Sequence, residues 1–175
     1  MAEPPLFDSS NADHAQTYRL MMLPSFRPPL VVRLVVSPDG SGKVVAKAGQ
    51  SDAQPGTLVV NRTSEPAQAD ISAFLSLLDK ADFWSMPTRE PSNPDPRKRL
   101  VVMDGTEWIL EGWKGGEYHL VTRTSPKFGP YTEAAQYLLR RLGGSTCEEP
   151  RCSHPVREAE VATRRTKHRV WLASA

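Results

Sequence analysis

Twice in this chain, at Pro66 and at Pro130, the apolar side chains change their spacing from every second residue to every third or fourth. A two-residue period puts alternate side chains on the two faces of a strand, whereas the longer period draws a single stripe down a helix. The two changes divide the chain into strands, a helix, strands and a helix. That order predicts an α+β fold: a mostly antiparallel sheet of about six or seven strands in two meanders, with both helices packed on one face because each has one apolar stripe.

The strands are read from β-branched runs between turn signals. Residues 18 to 23 form a short strand that Pro24 ends, and residues 30 to 36 form a second, buried on at least one face. The turn Ser37-Pro38-Asp39-Gly40-Ser41-Gly42 leads to a partner strand at residues 43 to 48, and Leu58-Val59-Val60 is another after Pro55-Gly56. Thr63 or Ser64 is a candidate cap for the first helix, residues 66 to 80, whose stripe is Ile71, Phe74, Leu75 and Leu78. Phe83, Trp84 and Met86 should pack beneath it as the chain leaves. Residues 87 to 99 hold four prolines and the triplet Arg97-Lys98-Arg99, so they read as an exposed loop. Strand character returns at residues 100 to 103, and Asp104-Gly105 and Gly115-Gly116 then punctuate two hairpins running to Thr124. Gly129-Pro130 opens the last helix, residues 130 to 142, with Tyr131, Ala134, Ala135, Leu138 and Leu142 on its stripe and Gly143-Gly144 closing it.

A chain of 175 residues with 39% hydrophobic side chains has enough apolar material for one core. Residues 17 to 143 are assigned to it. Residues 1 to 16 are a loose polar arm, and residues 144 to 175 a disordered basic tail. Of 22 Lys and Arg and 20 Asp and Glu, the tail carries six basic and four acidic, so residues 1 to 143 balance at sixteen of each. The folded part therefore has no bulk charge reason to seek nucleic acid or a membrane. The run Leu30-Val31-Val32 ends at Arg33, and no stretch approaches the roughly 18 apolar residues that cross a bilayer. Met1-Ala2-Glu3-Pro4-Pro5 lacks the basic start and apolar stretch of a secretion signal. A cytoplasmic location is expected, with a periplasmic or secreted one if a signal has been removed. Cys147 and Cys152, with His154, supply three potential metal ligands where a closed zinc site needs four, so no metal is expected.

The most distinctive segment is residues 104 to 126. A two-residue turn at Gly115-Gly116 sets Trp113 opposite Tyr118, Glu111 opposite Leu120 and Trp108 opposite Arg123. Alternation then divides the side chains. Trp108, Leu110, His119, Val121 and Arg123 share one face, which can hold an Arg over an indole ring. Ile109, Glu111, Trp113, Tyr118, Leu120 and Thr122 share the other. The series Trp108-Ile109-Leu110-Glu111-Gly112, Gly116-Glu117-Tyr118-His119 and Arg123-Thr124-Ser125-Pro126 resembles one found in a family of bacterial proteins of unknown activity. The likeness extends upstream through Phe83-Trp84 to about Tyr18 and leaves out the tail. It implies a common fold and gives no indication of an activity.

Only Glu111, His119 and Arg123, with Asp104 nearby, could together do acid-base work. The hairpin register points Glu111 away from the other two, so a small hydrolase or transferase would need a bulge or a shifted register. The alternative is that Arg123 and Glu111 pair with neighbours while His119 fills the space left by Gly112. No G-x-S-x-G, phosphate loop or H-E-x-x-H occurs, and no cofactor is implied. Two surfaces remain. Trp84, Trp108, Trp113, Tyr118 and Tyr131 are candidates for a protein-partner surface if any two are exposed together, against the alternative that all are core. Arg97, Lys98, Arg99, Arg164, Arg165, Lys167 and Arg169 could neutralise phosphates, although such runs are more often solvated, so nucleic acid is the weaker reading. The sequence thus favours a non-enzymatic binding module, with a protein partner, over an enzyme.

Overall fold

The computed structural model describes residues 5–6, 15–49, 57–90 and 104–144. The expected strand at residues 100 to 103 and the loop triplet Arg97-Lys98-Arg99 lie outside these, as do Cys147, Cys152, His154 and the tail basic residues. Among the described residues the chain forms a six-stranded antiparallel sheet and two α-helices.

The strands are β1 (Gln16–Pro24), β2 (Leu30–Val36), β3 (Gly42–Gly49), β4 (Leu58–Ser64), β5 (Thr106–Lys114) and β6 (Glu117–Thr124). The first four form a meander, and the β5–β6 hairpin then returns to the far side of β1, giving the order β4-β3-β2-β1-β5-β6. β1 is therefore an inner strand, paired on one side with β2 and on the other with β5. Its length suits that place: Gln16 to Met22 pair with both neighbours.

Residues directly opposite in an antiparallel ladder share a face, so the registers divide the whole sheet. Tyr18 lies between Leu34 and Gly112, and Leu20 between Val32 and Leu110. With Met22, Val36, Val44, Ala46, Trp108 and Val121, these side chains join one buried cluster that also takes in Ile71, Phe74, Leu78, Tyr131, Leu138 and Leu142 from the helices. Alternation on strands and a stripe on each helix thus meet in a single core.

Helix α1 is Gln68–Lys80, two residues later than the sequence predicts. Thr63 and Ser64 do not cap it. They belong to β4, paired with Val45 and Val44, because the β-branched run from Leu58 continues the ladder past Arg62. Ala67 takes the cap position without a side-chain hydrogen bond, and Asp70 in the first turn and Lys80 in the last match the helix dipole. The chain then makes a tight 3-10 turn at Phe83–Ser85, burying Phe83. Helix α2 is Pro130–Tyr137, with Pro at its first position, and it continues as a π-helical turn, Leu138–Leu142. No helix among the described residues is long and apolar enough to cross a membrane.

Candidate binding surface on the sheet

Three rows of side chains cross the sheet on the face opposite the buried cluster. The middle row is Val45, Arg33, Arg19, Glu111 and Leu120, in the order β3, β2, β1, β5, β6. Beside it run Lys43, Val35, Thr17, Trp113 and Tyr118 on one side, and Lys47, Val31, Met21, Ile109 and Thr122 on the other. Ladder pairing over five strands brings together residues that are far apart in sequence.

Glu111 is the centre of these rows. Its Oε2 accepts from Arg19 Nε at 2.6 Å and its Oε1 from the Tyr118 hydroxyl at 2.7 Å. Arg19 and Glu111 are only 7% and 4% exposed, so this is a buried pair rather than a solvated one. Taking two charges out of water is expensive, and close geometry with a further hydrogen bond on the carboxylate offsets that cost. Partial burial, and then the Glu111 carboxylate itself, push the Tyr118 hydroxyl well above its usual range, keeping it a neutral donor. Thr17 Oγ1, one strand position from Tyr18 and on this face, is buried without a hydrogen-bond partner among the described residues.

The hairpin that supplies Glu111 has the register its turn demands: Trp113 faces Tyr118, Glu111 faces Leu120 and Trp108 faces Arg123. Gly115 and Gly116 have φ of 58° and 86°, a region where a side chain would strain the turn. His119 and Arg123 consequently lie on the clustered side, away from Glu111. His119 Nε2 donates to the Met86 carbonyl at 3.0 Å, since a carbonyl only accepts, and the ring packs edge-on against Phe83. Arg123 donates to the carbonyls of Pro87 and Thr88, pairs loosely with Glu90 at 3.8 Å, and lies over a ring at 5.6 Å. Together with the Thr122 amide bonded to the Thr88 carbonyl, these side chains fasten the segment after the 3-10 turn to β6.

One expectation for this side needs correction. The ring beneath Arg123 is Tyr131, not Trp108, because α2 delivers Tyr131 to the hairpin, where its hydroxyl donates to the Trp108 carbonyl at 3.0 Å. The atoms nearest to a Cβ at Gly112 belong to Phe83, at 2.8 Å, Trp84 and Tyr18, and the His119 ring packs against Phe83 and Trp84. The shallow groove that Arg123 lines, with Arg89, Glu90, Glu107 and Thr122, takes in neither Glu111 nor His119.

The five aromatic candidates separate in the same way. Trp108 and Tyr131 are core residues, each 5% exposed. Trp84 is half-buried among Phe83, Tyr18 and His119. Trp113 and Tyr118 are left as directly paired neighbours on the face of Glu111, with Tyr118 38% exposed. Sequence reasoning missed Arg19, Arg33 and Lys47. Their only signal was a basic residue at an alternating position inside an otherwise apolar strand. Among the described residues no cluster of three His, Cys, Asp or Glu could hold a metal ion. No family model matches the chain, and no curated protein matches it.

Proposed function

We propose that the protein is a non-enzymatic interaction module that binds a protein partner on the sheet face carrying Trp113, Tyr118 and the Arg19–Glu111 pair. The observation that carries this reading is the separation of the acid-base groups: Glu111 faces one way and His119 and Arg123 the other, each already engaged. A hydrolase or transferase at these three residues requires them to converge on one substrate atom, and a two-residue hairpin turn keeps them on opposite sides.

Both helices, in this reading, cover the Tyr18 face. Several contacts support that arrangement: Phe74 meets the Tyr18 ring edge-on at 5.4 Å, Ile71 stands over Gly42, Gly143 lies against Val32, and Tyr131 bonds to the backbone at Trp108. The other face then offers half-buried apolar side chains (Met21, Ile109, Trp113 and Leu120) around a polar centre. Its charges are Arg19, Arg33, Lys43 and Lys47 against Glu107 and Glu111. An apolar patch with a cationic surround suits an acidic partner that brings its own apolar anchor.

The test is quantitative capture of proteins from the native host by the intact chain, compared with Tyr118→Asp and Leu120→Asp on the proposed face and Ser76→Asp on α1. The expected outcome is a partner retained by the wild type and the α1 variant and lost by both face variants, all three variants remaining folded by circular dichroism at the temperature of the assay. Retention by the face variants, or loss only in Ser76→Asp, would reject the face.

A further inference from the structure

Leu6 lies ahead of the first strand, yet it is completely buried. It is not part of the cluster that the helices share with the sheet. Of the buried hydrophobic residues outside that cluster, Leu6 and Val31 are the two larger than alanine. Val31 pairs with Met21 and Lys47, so it points to the opposite face of the sheet. Thr17, Arg19 and Glu111 are buried on that same face. Something covers them, and the helices belong to the other side.

We infer that Leu6 is seated on the helix-free face near Val31 and the Arg19–Glu111 pair, on the surface proposed for a partner. Reach and charge both support this. The Ala15 amide bonds to the Val36 carbonyl, which fixes where the arm leaves the sheet. Eight residues separate Leu6 from Ala15, enough to extend about 30 Å. The face measured along β1 from Thr17 to Leu23 is only about 20 Å long. Residues 1 to 18 contain Glu3, Asp8 and Asp13 and no Lys or Arg, which complements Arg33, Lys43 and Lys47. The arm thus has the chemistry proposed for the partner: acidic, with one apolar anchor. Its effect is competition. A tethered segment acts at an effective concentration on the order of millimolar, so a partner must displace it.

The regulatory consequence rests on the proposed binding face, but the seat of Leu6 does not, and it is tested without any partner. In the full chain with Cys147→Ser and Cys152→Ser, a spin label at Pro5→Cys, an exposed position, should broaden the methyl resonances of Val45, Ile109 and Leu120 more than those of Leu75 and Leu77 on α1. Adding Leu6→Asp should abolish that difference while the α1 resonances stay dispersed, with Leu6→Ala used if the charged variant does not fold. Strongest broadening on the helices, even broadening everywhere, or broadening of the sheet face that survives the Leu6 change would each overturn the inference. The arm can fail this test while the face still binds a partner, and the capture experiment can fail while the arm is seated.

Discussion

Replacing Glu111 with Leu removes the acceptor at the centre of the sheet face opposite the buried cluster and leaves Arg19 buried beside an apolar side chain. The Arg19 and Glu111 side chains are 9% and 6% exposed, so solvent screens their interaction little. Breaking a pair of this kind from one side costs about 3–5 kcal/mol, mostly through the stranded charge. Arg19 has other interactions, which points to the low end, about 3 kcal/mol. The Tyr118 hydroxyl also loses its acceptor, but at 38% exposure it can turn to water and adds little. For a domain of this size the melting temperature should fall by roughly 10 °C. The companion variant Arg19→Met should lose a similar amount, since it strands the carboxylate. The double variant should be much less destabilised than the sum of the two, with a coupling of about 2 kcal/mol in thermal and urea unfolding followed by circular dichroism. A loss below about 1 kcal/mol for Glu111→Leu, or strict additivity in the double variant, would refute the claim that the pair is buried and coupled.

Gly112→Ala should cost about 1–3 kcal/mol in urea unfolding, because its methyl would press on Phe83, Trp84 and Tyr18; an unchanged midpoint would mean these rings do not close over the hairpin. Tyr131→Phe should cost about 1 kcal/mol by removing the hydroxyl that donates to the Trp108 carbonyl, and a neutral result would place that hydroxyl in solvent. Burial raises the hydroxyl pKa of Tyr18, Tyr118 and Tyr131 above the ordinary 10.0. Their contribution to stability is complete below pH 10.0 and is lost above it, where the unfolded chain ionises first. The tyrosinate absorbance of the folded chain should therefore lag that of the denatured chain with rising pH, and superimposed titrations would contradict the burial.

What could be read in the sequence was what local chemistry decides. The β5–β6 register follows from two glycines in a two-residue turn, and the α1 stripe follows from Ile71, Phe74 and Leu78 at helical spacing. What could not be read depends on elements that approach from elsewhere in the chain. Arg19 and Glu111 are 92 residues apart, and only the return of β5 to the edge of β1 brings them together. The same return fixes the strand order of the single sheet, which the expectation of two meanders leaves open. Arg123 has a ring beneath it, as the hairpin suggests, but α2 supplies Tyr131 before Trp108 can be used. The cap at Thr63 or Ser64 failed because those residues had a competing use as ladder partners of β3, and pairing prevailed over capping.

Everything proposed for function depends on the two helices covering one side of the sheet and leaving the other to a binding segment. Nuclear Overhauser contacts between assigned side chains measure this most directly. The account predicts contacts from Val121, Leu110 and Trp108 to Tyr131 and Leu138, and none from Ile109, Trp113 or Leu120 to α1 or α2. Contacts from that second set to either helix would put the Arg19–Glu111 pair under a helix and remove the binding face.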